Sequence, residues 1–82
     1  MFFDNRKINI YKEDNYIYLH IPKGYTDGII DKQYQFDIND FICTKRHDYF
    51  VCGTDSFKRA YLLSDIIMDD YIKQVYLSNE IL

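Results

Sequence analysis

Four residues of the chain carry side chains that commonly bind zinc in proteins. Structural zinc sites usually bring their ligands in close pairs such as C-x₂-C, because one turn then presents two ligands to a tetrahedral ion. Here the two cysteines are nine positions apart, and the shorter spacings are Cys-x₃-His and His-x₄-Cys. We therefore predict no metal site. The four residues are His20, Cys43, His47 and Cys52.

Cys52, His47 and Asp48 are the residue types of a nucleophile, its base and the group that orients the base. A tight turn at positions 47–48, however, points the imidazole outward, four or more residues from either thiol. We therefore expect a solvated polar turn here and no catalytic residue.

Other motifs that carry chemistry are missing from the sequence. Neither G-x-x-x-x-G-K-[ST] nor G-x-G-x-x-G occurs, so no loop of known type cradles a phosphate group. Glu13 and Glu80 are the only glutamates, and neither begins an E-x-K sequence of the nuclease type. The sequence therefore predicts a protein that is not an enzyme and that uses no cofactor.

The stretch FICTKRHDYFVCG, which holds both cysteines, is typical of a β-hairpin. A two-residue turn at positions 47–48 places Cys43 directly opposite Cys52, on the same face as Phe41 and Phe50. Two small apolar thiols in a core are the first expectation. A conditional disulfide between these cross-strand neighbours is the second.

The stretch KINIYKEDNYIYLHI predicts another hairpin, because strict alternation flanks a polar turn at positions 13–15. A turn at 13–14 sets Ile10 opposite Ile17, whereas a turn at 14–15 changes the partners but keeps the same faces. After a loop at positions 21–28, QYQFDI predicts a third strand. One face of the hairpin is aliphatic, and the other carries Tyr11, Tyr16, Tyr18 and His20.

From Ser56 onward the apolar period changes from two to about 3.6, which indicates a helix of about five turns. Thr54 or Asp55 would cap it, and a break at positions 69–70 would give two shorter helices. The predicted fold is α+β: one antiparallel sheet of four to five strands, built from two hairpins, with this helix packed on one face. The apolar stripe contains Phe57, Ala60, Tyr61, Ile67, Met68, Tyr71, Ile72 and Val75.

Length and charge limit the organisation of the chain. Its 82 residues suit a single domain, 1–82, and 48% of them are hydrophobic. Residues 1–46 hold seven basic and seven acidic side chains, so the net charge of -3 arises entirely from residues 47–82. The start of the chain lacks the apolar region of a signal peptide, and no apolar run is long enough to span a bilayer. We expect a cytoplasmic location.

Two surfaces of the expected fold could bind a partner. The predicted helix has a second apolar side with an acidic rim, and Lys73 and Leu77 fall on this same side. The arrangement favours a dimer or a protein partner with a basic surface. The tyrosine-bearing side of the first hairpin is either covered by another element or exposed as an aromatic patch. The predicted partner-binding residues are Leu62, Asp65, Ile66, Asp69, Asp70, Tyr11, Tyr16 and Tyr18.

The chain is short, is rich in Ile, Asn, Asp, Lys, Tyr and Phe, and has no Trp and little Ala. In this composition it resembles the small orphan proteins of phages and mobile elements, among them the anti-CRISPR proteins. The resemblance implies a stoichiometric inhibitor of a host nucleic-acid-acting defence effector, such as a CRISPR nuclease, working in the host cytoplasm. The class has no shared motif, so it implies no particular site residues.

We therefore predict a small acidic protein-interaction module that acts as an inhibitor. The alternative is a small nucleic-acid-binding module, because three-stranded sheets followed by a helix can lie in a DNA groove. Such a module would use its sheet and the hairpin tip at Lys45 and Arg46. The balance of acidic and basic residues argues against this alternative, since nucleic-acid-binding faces are normally strongly positive.

Overall fold

The computed structural model describes residues 6–25 and 28–80, with side chains through residue 78. The predicted loop at 21–28 and the N-terminal stretch therefore fall partly outside the described residues. The described chain has the predicted α+β class and C-terminal helix, but its strands form two sheets where one was expected. The strands are β1 (Ile8–Glu13), β2 (Tyr16–Ile21), β3 (Lys32–Asp37), β4 (Ile42–Arg46), β5 (Tyr49–Thr54), β6 (Phe57–Leu62) and β7 (Ile66–Met68), and the helix is α1 (Asp70–Glu80).

The first sheet has four strands in the order β3-β2-β1-β7. β1, β2 and β3 are antiparallel neighbours, and β7 lies parallel to β1. Ile10 pairs with Leu19 and Tyr11 with Tyr18, so the turn lies at positions 14–15, the second of the two registers considered. The predicted aliphatic face is buried, because its four central side chains are at most 1% exposed. These are Ile8, Ile10, Ile17 and Leu19.

The second sheet has three antiparallel strands in the order β4-β5-β6. Cys43 pairs with Cys52, which confirms the predicted hairpin and its register. Neither cysteine forms a disulfide, and both are buried, as expected for core residues.

The predicted five-turn helix from Ser56 is wrong over most of its length. Residues 57–62 form β6, residues 63–65 a 3-10 turn and residues 66–68 β7. Thr54 and Asp55 therefore cap no helix: Thr54 ends β5, and Asp55 lies in the turn before β6. Residues 57–62 also alternate in a way that fits a strand, and as a strand they pair with the edge of β5 that β4 leaves open. This pairing favours a strand over a helix here. The helix begins where the break was considered, at Asp70.

The core lies between the two sheets and is completed by the helix. Phe57 of β6 contacts Tyr34 and Phe36 of β3, with ring centroids 5.4 and 6.1 Å apart. The helix contacts β1, β4 and β7 and buries Ile72 completely. No helix among the described residues is long and apolar enough to cross a membrane.

Candidate interaction surfaces

The eight predicted partner-binding residues lie on separate surfaces. Leu62 is on β6, and Ile66 is on β7, on the far edge of the other sheet. The expected helical face that joined them does not exist, because both residues belong to strands. Asp65 is in the 3-10 turn, Asp69 just precedes α1, and Tyr11, Tyr16 and Tyr18 lie on β1 and β2.

The predicted acidic rim is largely used inside the protein. The Asp65 carboxylate accepts a hydrogen bond from the Tyr25 hydroxyl, 3.2 Å away. Burial, with a smaller contribution from Asp65, raises the pKa of Tyr25. Asp69 accepts one hydrogen bond from the Ile72 backbone and another from the Lys12 backbone. Asp70 is exposed to solvent, whereas Asp65 and Asp69 are half-buried. A basic partner for this rim stays a prediction, with Asp70 as its most exposed carboxylate.

Part of the predicted second apolar side does come together, but in a groove between a strand and the helix. Ile66 lines this groove, which has a volume of about 490 Å³ between β7 and α1. Lys73 and Leu77, expected on the same helical side, line it from α1. The groove therefore reunites these residues through tertiary packing.

The tyrosine face, defined here as the outward side of β1, β2 and β3, is the best-formed of the predicted surfaces. The rings of Tyr11 and Tyr18 are stacked, with centroids 5.4 Å apart and an interplanar angle of 24°. Tyr16 lies 6.5 Å from Tyr18 and is 40% exposed. The Gln35 amide donates a 3.0 Å hydrogen bond to the Tyr18 hydroxyl and fixes its position. Since α1 contributes Ile72 to the core on the opposite side of this sheet, the tyrosines form an aromatic patch at the surface.

Charge is unevenly distributed along the tyrosine face. Tyr16 pairs with Glu13 on one side and with Asp37 on the other, so these three side chains form one cross-strand row. All three residues are exposed. One Asp37 oxygen accepts the Asn39 backbone N–H at 2.8 Å, which holds the carboxylate at the end of its strand. The row therefore presents an aromatic ring between two carboxylates.

Asn9 lies toward the other end of the tyrosine face and was not singled out by its sequence context. It pairs with His20 on β2 and with Ile67 on β7, and it is only 3% exposed. Its Nδ2 atom is buried and has no hydrogen-bond partner within the described part of the chain. Buried amide groups normally have hydrogen-bond partners. This end of the face therefore holds a buried polar group whose donor is unused within the described residues.

The residues considered for metal binding or nucleophilic chemistry do not assemble. No group of three or more His, Cys, Asp or Glu side chains that could hold a metal ion occurs in the part of the chain that the structure describes. Burial raises the pKa of Cys43 to about 11 and, with the neighbouring Cys43 adding to it, that of Cys52 to about 12. Both thiols are therefore protonated at neutral pH, whereas a nucleophile or metal ligand must be a thiolate.

Comparison of the chain with family models, with curated proteins and with solved structures finds no match.

Proposed function

We propose that this protein is a small interaction module that binds a partner protein stoichiometrically through its tyrosine face. The observation that carries the proposal is the stacked Tyr11–Tyr18 pair with the exposed Tyr16 beside it on a sheet. Tyrosine supplies a large contact area at a small cost in conformational entropy, and aromatic residues are enriched at the centres of protein interfaces.

The row of Glu13, Tyr16 and Asp37 specifies the partner's charge. An arginine or lysine placed over the Tyr16 ring gains a cation–π interaction and lies between two carboxylates. This arrangement supports a partner with a basic surface, and it supplies the acidic residues that the predicted helical rim lacks.

The inhibitor role rests on the compositional resemblance to phage and mobile-element proteins. A basic surface is the chemistry by which nucleic-acid-acting effectors hold phosphates, so a carboxylate-flanked aromatic patch suits such a target. We propose that the module occupies such a surface in the cytoplasm and acts without catalysis.

Nucleic-acid binding is the alternative function. The tyrosine face disfavours it, because Glu13 and Asp37 repel phosphates at the place where Tyr16 is most exposed. The alternative would depend on the other sheet and on the exposed tip residues Lys45 and Arg46. Binding to random duplex that weakens steeply with salt would favour this alternative over the proposed module.

The test begins with a partner captured from host lysate and identified by mass spectrometry, followed by calorimetric titration of purified components. We expect Tyr16→Ala to weaken partner binding at least tenfold, since truncation of a central aromatic anchor commonly costs about 2 kcal/mol or more. The combined Glu13→Gln and Asp37→Asn variant should also weaken it and reduce its salt dependence.

Tyr49→Ala is the matched control, because Tyr49 is 48% exposed but belongs to the outer side of the other sheet. Equal binding by wild type and Tyr16→Ala, together with a loss in Tyr49→Ala, would contradict the assignment to the tyrosine face. Circular dichroism on each variant checks that the fold is retained.

A further inference from the structure

The outer side of the three-stranded sheet is a second surface, separate from the tyrosine face. Strand alternation sends Phe50, Cys52 and Tyr61 into the core and sends the intervening residues of β4, β5 and β6 outward. We call this outward side the basic face. Its residues are Ile42, Thr44, Arg46, Tyr49, Val51, Gly53, Lys58, Ala60 and Leu62.

Apolar side chains on both edge strands of the basic face remain accessible. Ile42 and Leu62 are each 40% exposed, and Ala60 is also exposed. The face contains a concavity of about 580 Å³, a volume in the range of ligand-binding clefts. Gly53 pairs with Ile42 on one side and Lys58 on the other, so these three residues form one cross-strand row.

The charged side chains that line this concavity are both cationic. Arg46 and Lys58 line it and are exposed, and none of the Asp and Glu side chains that the structure describes lines it. Residues 42–62 hold four basic and two acidic side chains, so they carry +2 in a chain whose total is -3. The rest of the chain therefore carries -5. The sign of the basic face is opposite to that of the row at Glu13 and Asp37.

The concavity fits a protein segment better than a nucleic acid. Single-stranded nucleic acids bind through stacking of bases on aromatic rings and a groove lined by several cations. The uncharged lining has no aromatic ring and consists of Ile42, Val51, Thr44, Cys43 and Cys52, and two cations complete it. A protein segment in which carboxylates flank an aliphatic side chain matches both the apolar lining and the two cations.

We infer that the basic face is a docking site for an acidic segment of a partner protein. In this arrangement aliphatic side chains of the segment pack on Ile42 and Val51, and its carboxylates pair with Arg46 and Lys58. The two faces then have opposite charge requirements, so the protein can hold two different partner segments at once. This assignment stands independently of the tyrosine face.

The experiment is a two-dimensional NMR titration of the ¹⁵N-labelled protein with the peptide acetyl-Asp-Leu-Glu-Ile-Asp-amide. We expect saturable shifts confined to β4, β5 and β6, and at least a tenfold weaker Kd for the double variant Arg46→Gln with Lys58→Gln. Ile42→Ser should weaken binding through the loss of an apolar contact. Lys45→Gln, which removes one charge from the hairpin tip outside the concavity, should leave the Kd within about twofold of wild type.

Two control peptides separate the contributions. Acetyl-Asp-Ser-Glu-Ser-Asp-amide keeps the charge without the aliphatic side chains, and acetyl-Lys-Leu-Lys-Ile-Lys-amide reverses the charge. Both should bind at least tenfold more weakly than the first peptide. Absence of shifts at about 1 mM peptide, or shifts centred on the tyrosine face, would overturn the inference.

Two further outcomes would also overturn it in favour of another occupant. Tighter binding of an oligonucleotide at this face, lost in the Arg46→Gln and Lys58→Gln variant, would identify nucleic acid as the ligand. A concentration-dependent dimer in analytical ultracentrifugation that Leu62→Ser abolishes would identify a second copy of the chain.

Discussion

Gly53 approaches the backbone of Phe57 so closely that a Cβ atom at position 53 would lie 2.0 Å from the Phe57 carbonyl oxygen. Its φ angle is +139°, a conformation that residues with side chains rarely adopt. The two residues belong to adjacent strands, and this contact closes the β5–β6 hairpin that the sequence pattern did not reveal.

Replacing Gly53 with alanine should therefore disrupt the second sheet. We expect Gly53→Ala to lower the free energy of unfolding by roughly 3 kcal/mol or more, because the clash is with backbone and cannot be relieved by a side-chain rotation. Urea denaturation measures the loss. Gly28→Ala is the control: its closest contact would be 3.3 Å and its backbone is not in the left-handed region, so a comparable loss there would contradict the explanation.

Arg59 explains why the helix prediction failed. On β6 it lies on the inward side together with Phe57 and Tyr61, where a strand pattern normally has apolar residues. A charged residue at that position hid the alternation, and Phe57 and Tyr61 fit the helical period as well. A cation–π contact stabilises the guanidinium at this inward position, because the Tyr34 ring of β3 in the other sheet lies 5.3 Å from it. A contact between strands of two different sheets cannot be predicted from the local sequence pattern around Arg59.

Replacing Arg59 with lysine should test this contact between the sheets. The change keeps the positive charge but loses the planar group that faces three aromatic rings and the hydrogen bond from Nε to the Tyr61 hydroxyl. We expect a loss of about 1 kcal/mol in the free energy of unfolding, measured in urea. Arg46→Lys, on the solvent side of the sheet, should change stability by less than about 0.5 kcal/mol. Equal effects of the two substitutions would show that the rings contribute nothing.

Other parts of the fold were accessible from sequence. The hairpin at Cys43 and Cys52 was predicted with its register, because alternation and a polar two-residue turn together allow few pairings. The tyrosine face followed from alternation alone. The row at Glu13, Tyr16 and Asp37 did not, because it requires the register between β2 and β3, which a loop of ten residues leaves open. The pairing of β7 with β1 is likewise non-local.

The buried thiols should be unreactive in the folded protein. Because burial raises the pKa of Cys43 to about 11 and of Cys52 to about 12, almost no thiolate exists near neutral pH. We expect neither thiol to react rapidly with Ellman's reagent at pH 8 in the native state, and both to react after denaturation in urea. Rapid native-state labelling of either cysteine would contradict its placement in the core.

The same shifts predict a loss of stability in alkali. The unfolded chain loses thiol protons above its ordinary pKa of 9.0, whereas the folded protein retains them until pH about 11 and about 12. The folded state then binds more protons than the unfolded state, so the free energy of unfolding decreases as pH rises from about 9 to about 12. Urea denaturation across this range measures the slope. The double variant Cys43→Ala with Cys52→Ala should have a shallower slope, and an unchanged slope would assign the effect to other groups such as Tyr61, whose pKa is also raised by burial.

Asp69 joins the helix to the first sheet, and Asp70 provides a matched comparison. One Asp69 oxygen accepts the Ile72 N–H at 3.0 Å and caps the helix, and the other accepts the Lys12 N–H of β1 at 2.8 Å. Removing the carboxylate leaves both backbone donors without this partner. We therefore expect Asp69→Ala to cost about 2 kcal/mol in the free energy of unfolding. Asp70→Ala, which removes an exposed carboxylate from the first helical turn, should cost less than about 1 kcal/mol. If urea denaturation gave Asp70→Ala the larger loss, the cap at Asp69 would not be the main connection between helix and sheet.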